Sequence, residues 1–172
     1  MSRPAPLVQI SVGIVVERSK AASQWVDFVW RPVAALPGAP DVQPWTPLES
    51  NGETTRFYAG GAEVALYRSE TARYADNLAT GTPALWVVLR PSDGDPPYAL
   101  LTVTADPSEG EAFTESGNDM VESVLMPDAV RETIAAFVAE HPAEETFYKR
   151  KQTRADPDAL ARRDHLGRDR KP

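Results

Sequence analysis

Glu70, Tyr74 and Asn77 follow one another at spacings of four and three residues, which sets a carboxylate, a phenol and a carboxamide on one face of a helix. With Arg90 they outline a possible pocket, and a buried carboxylate among such neighbours is the equipment of a general acid or base. The same groups can also satisfy one another. Glu70 can bond a backbone amide or pair with Arg73 or Arg90 and so hold the helix on a sheet, and this structural role is the one expected. The two histidines offer less: His141 stands at a helix end beside Pro142, His165 lies in a basic tail, and neither sits where a triad or a metal would need it. Asp106-Pro-Ser-Glu109-Gly110-Glu111 approximates an oxygen-ligand calcium loop, yet the alternating ligand spacing fails. No glycine-rich phosphate loop follows the first strand. The sequence therefore calls for no catalytic residue, no metal and no cofactor.

The elements that position these side chains can be read from hydrophobic periodicity. Val8, Ile10, Val12, Ile14 and Val16 alternate with a mixed second face, as in a half-buried strand. Residues 25 to 34 alternate likewise, with Pro32 confining that strand to a sheet edge or a bulge. From Leu36 to Gly52 four prolines and two glycines predict a long loop. In that loop Trp45 is expected to be the most exposed tryptophan. Gly60-Gly61 reads as a primed turn closing a hairpin, with Phe57 facing Val64 and Thr55 facing Leu66. Ser69 can cap a helix running to about Thr80, with Gly81 as its left-handed stop. The apolar run Ala84 to Arg90, the turn chemistry to Pro97 and Tyr98 to Thr104 make a second, central hairpin. Pro127 suits a first helical position ahead of Val130, Ile134, Phe137 and Val138, and Pro142 ends that helix. The expected fold is α+β: a mostly antiparallel sheet or open barrel of about six strands, with one internal helix and a C-terminal helix.

A chain of 172 residues with 42% hydrophobic and 25% charged residues has the composition of one ordinary globular domain. The absence of cysteine removes disulfide frameworks, thiolate metal sites and cysteine nucleophiles. No apolar run reaches the length of a membrane span and no secretory leader pattern is present, so the expected compartment is the cytoplasm. The net charge of −7 divides unevenly. Residues 148 to 172 carry nine Lys or Arg against four Asp, a net of +5, and residues 1 to 147 carry nine basic against 21 acidic side chains, a net of −12. Between Arg90 and Arg131 there are nine acids and no base. Such a surface repels nucleic acid and attracts basic partners. The boundary is expected near residue 147, with a single domain before it and a basic tail, 148–172, that is flexible or orders on a partner.

Several segments resemble the bacterial domain-of-unknown-function family 3305: Trp30-Arg31-Pro32; Glu70-Thr71 with Tyr74, Asn77-Leu78 and Pro83 leading into Val87-Val88-Leu89-Arg90; Ser116-Gly117 followed by Val121-Glu122 and Met126-Pro127; and Glu144-Glu145-Thr146-Phe147-Tyr148-Lys149-Arg150-Lys151. That resemblance implies a small accessory protein encoded beside molybdenum-dependent formate dehydrogenases. The leading reading is a non-catalytic accessory or small subunit that binds such an enzyme or its maturation factors. An enzyme or carrier in molybdopterin metabolism, using the Glu70 pocket, is the second. A free-standing adaptor that holds a basic segment of another protein is the third. For docking, Phe147 and Tyr148 are expected to give apolar anchorage while Lys149, Arg150, Lys151 and Arg154 pair with a partner's acids. Asp106, Glu109, Glu111, Glu115, Asp119 and Glu122 form the acidic counterpart.

Overall fold

Strand β1, Val8–Lys20, buries Val12, Ile14 and Val16 completely, because alternate side chains of an extended chain share one face. Its length lets it pair on both sides, with β2 (Phe28–Pro37) and with β4 (Thr54–Leu66), both antiparallel. A short β3, Thr46–Ser50, adds to the far edge of β4, giving the order β2-β1-β4-β3. The computed structural model describes residues 2–115 and 117–143. A second antiparallel sheet is built from β5 (Ala84–Pro91), β6 (Tyr98–Thr104) and β7 (Met120–Leu125), with β5 in the middle. Three helices complete the fold: α1, Thr71–Ala79; α2, Pro107–Thr114; and α3, Asp128–Glu140. The architecture is α+β, with two open sheets rather than a closed barrel.

One core joins the layers. Val12, Ile14 and Val16 of β1, Trp30 of β2, Phe57 and Leu66 of β4, Leu85, Val87 and Leu89 of β5, Tyr74 of α1 and Ile134 and Phe137 of α3 all belong to it. The unbroken apolar run of β5 has a physical reason: its second face is covered as well, by α2 over Trp86, while Val88 is fully buried. Tyr74 and Phe137 meet edge to face, ring centres 6.0 Å apart, which locks α1 on α3.

Several expectations are corrected. Gly60-Gly61 is not a turn, since β4 runs straight through it and stays paired with β1 on both sides. The partners of Phe57 and Val64 are Val16 and Ile10, and those of Thr55 and Leu66 are Arg18 and Val8. Gly60, at φ +136, serves a bulge in which Ala59 is the extra residue between Ile14 and Val15. A two-residue glycine signal marks a left-handed backbone need, and a bulge meets it as well as a turn does. The proline-rich loop contains β3, and Trp45 is half-buried against Trp30 and Phe57, at ring distances of 5.9 and 6.3 Å. Trp25, 92% exposed, is the tryptophan that faces outward. The strand expected over 25 to 34 begins at Phe28, and Pro32 lies at a register shift in this edge strand. Ser69 caps nothing: a 3-10 turn, Arg68–Glu70, leads into α1, and the Ser69 hydroxyl donates to Glu70. Pro127 stands one residue before α3, as its N-cap. The sheets hold seven strands among the described residues, and α2 and β7 occupy the stretch that reads as acidic surface.

Candidate functional site

The polar stripe of α1 faces inward at two of its three positions. Tyr74 is 1% exposed and Asn77 3%. The Tyr74 hydroxyl accepts a hydrogen bond from the Tyr67 backbone N–H at 3.0 Å and donates to the Ala65 carbonyl at 3.5 Å. Burial pushes the phenol up to about 12, with Glu70 and Asp106 adding to the rise and the Tyr67 amide opposing it. A phenol so placed stays protonated at neutral pH. Asn77 donates to the carbonyls of Ala84 (2.8 Å) and Ala105 (3.0 Å) and accepts from the Ala84 N–H at 3.0 Å. It therefore ties α1 to the start of β5 and to the end of β6. Glu70 points elsewhere, to Arg3 at 2.9 Å.

Arg3 is a partner that sequence reasoning missed. Its guanidinium lies 3.6 Å over the Tyr67 ring and also reaches Glu109 at 3.5 Å. Nothing in the local sequence of an N-terminal segment announces a contact with residues so far along the chain. Asp106 is likewise structural: 1% exposed, it accepts from the Ser108 and Glu109 amides at the N-terminus of α2 and pairs with Arg73 at 2.8 Å. Here a signal was available, since Asp106-Pro107 followed by Glu109 is the pattern of a helix start. Thr104 completes the corner, accepting from the Asp106 N–H and donating to Glu109.

Arg90 is not brought to this cluster. Asn77 holds the first residue of β5 and Arg90 stands six residues further on, which is about 20 Å along a strand. There its guanidinium grips Asp119 with two parallel bonds, 3.1 and 3.0 Å. The bond to Arg90 holds the Asp119 carboxyl below the ordinary value. Arg90, Pro91, Asn118 and Asp119 line a shallow recess of about 450 Å3.

The acidic stretch is dispersed by the fold. Asp106 and Glu109 join the Arg3 and Arg73 corner, Asp119 joins Arg90, and Glu122 of β7 opens towards Arg31 and Arg56 beside the edge of β2. Glu111 and Glu115 lie exposed at the spacing of one helical turn, at the end of α2. They make no ion pair among the described residues. Phe147, Tyr148, Lys149, Arg150, Lys151 and Arg154 fall outside the described residues. His141 packs its ring against Phe137 at 4.7 Å. Among the described residues no three His, Asp or Glu side chains are grouped to hold a metal ion, and no helix is long and apolar enough to cross a membrane.

Comparison with known proteins identifies the chain by family alone. The family described as "Protein of unknown function (DUF3305)" matches residues 11–151, and the chain belongs to it. No curated protein and no solved structure matches.

Proposed function

We propose that this family member is a non-catalytic accessory protein that docks on a larger assembly by charge. The observation that carries the reading is the commitment of Tyr74, Asn77 and Asp106 to backbone groups and helix ends. The side chains best suited to chemistry are spent on holding α1 and α2 to the sheet, while Glu111 and Glu115 are exposed and make no ion pair among the described residues. The tail cations Lys149, Arg150, Lys151 and Arg154 supply the opposite sign. The partner proposed is a molybdenum-dependent formate dehydrogenase or one of its maturation factors, as the family resemblance implies, in the cytoplasm.

Native co-purification tests this. The partner is identified by mass spectrometry, and recovery is compared for wild type, Glu111→Lys with Glu115→Lys, and a variant carrying Glu at the four tail cations. Each variant should lose most of the partner at physiological salt, and wild type should lose it at high salt, where the screening length shrinks. Unchanged recovery throughout would remove charge docking. If Glu70→Gln kept the thermal midpoint but abolished a measurable activity or pterin retention, the enzyme or carrier reading would take its place.

A further inference from the structure

Ala143, the last described residue of the C-terminal side, stands with Pro142 on one lip of a groove of about 740 Å3. The opposite walls are the N-terminal segment, with Pro4 and Leu7, and the run from Tyr67 to Ala72. Leu7 is 56% exposed over it. Both walls are fixed before anything enters: the Leu7 N–H donates to the Leu66 carbonyl at 3.0 Å, and Arg3 is clamped on Tyr67 and Glu70. A preformed apolar groove binds without the cost of ordering its own walls.

The chain itself continues from that lip. Glu144, Glu145 and Thr146 precede Phe147, the first large apolar residue after Ala143. Four residues extended reach about 14 Å. The family match runs to residue 151, so the segment beyond Ala143 recurs with the domain rather than lying outside it. Arg68 is exposed on the groove wall and presents a cation to the two glutamates.

We propose that residues 144–148 of this chain turn back into the groove, with Phe147 seated against Leu7 and Ala72 and Glu144 or Glu145 facing Arg68. Phe147 then anchors on the chain's own surface instead of the partner's, where the sequence alone puts it. Lys149, Arg150, Lys151 and Arg154 emerge beyond the groove and stay free for a partner. This seating is independent of the partner's identity.

The absence of cysteine makes a clean test. Ala72→Cys combined with Tyr148→Cys, oxidised in the full chain, should give a disulfide within the monomer and no free thiol. Adding Phe147→Ala should slow its formation at least about tenfold, as loss of a buried aromatic anchor does. In the cysteine-free protein, a chain ending at Ala143 should melt at least about 4 °C below one ending at Lys151. Thiols that stay free after oxidation overturn the proposal. A disulfide between two chains overturns it too, and assigns the groove to a second copy. Equal melting of the two truncated chains has the same force.

Discussion

Gly110 of α2 lies directly over the indole of Trp86 in β5: a Cβ at position 110 would stand 2.4 Å from the Trp86 Cγ and 2.7 Å from its Cβ. The clash is with the root of the side chain, where no rotamer change gives relief. The glycine is what allows α2 to rest on the central strand and bury its second face.

Gly110→Ala should therefore lift α2 and cost about 1 to 3 kcal/mol, the usual penalty for overpacking. Thermal unfolding should show a fall of about 3 to 10 °C. Trp86→Ala should lessen the effect of Gly110→Ala when the two are combined, since it removes the crowded Cγ and Cδ1 and leaves only the Cβ contact. Strict additivity of the two changes would refute the contact.

Asn77→Ala leaves the Ala84 N–H and the carbonyls of Ala84 and Ala105 without their partner. Buried backbone groups without a partner are expensive, and a loss of about 2 to 4 kcal/mol is expected from urea unfolding. The alanine variant of exposed Asp76, one residue away on the same helix, should stay within about 0.5 kcal/mol of wild type. Similar losses for both would show that the helix, and not the amide bridge, sets the effect.

Tyr74 gives a pH dependence of known sign. Its phenol is held up to about 12 in the fold, above the ordinary value of 10.0. Folding thus favours the protonated form, and that contribution is fully present below about pH 10 and lost as pH rises towards 12. Between about pH 9 and 11.5 the urea midpoint of wild type should fall more steeply than that of Tyr74→Phe. Parallel curves would mean that the hydroxyl is not desolvated.

A chain ending at Tyr148 should melt within about 3 °C of the full protein, because residues 149–172 carry only Leu160 and Leu166 as large apolar side chains and so have little to bury. A larger fall, or loss of the cooperative transition, would place residues 149–172 in the fold.

Local sequence signals settle β1, the β5–β6 hairpin, α1 and α3. Alternation marks β1, an apolar run followed by turn residues marks the hairpin, helical spacing marks α3, and Gly81, at φ +82, ends α1 where the sequence places its stop. Sequence also marks which residues of α1 share a face, because helix geometry is local. It leaves open what that face meets. The tertiary structure turns Tyr74 and Asn77 onto backbone groups of other elements and leaves Arg90 about 20 Å away, as six strand residues require. Gly60-Gly61 carries the same ambiguity: positive φ is a property of the residue, but whether the chain then reverses depends on a strand long enough to pair on both sides of it, and β1 is that strand. The acidic stretch reads as one surface because its residues are neighbours in the chain. Folding sends Asp106, Asp119 and Glu122 to separate arginines or sheet edges, since a carboxylate near a guanidinium is stabilised by it wherever the backbone brings the two together. Those pairings join residues far apart in sequence, and only packing decides them.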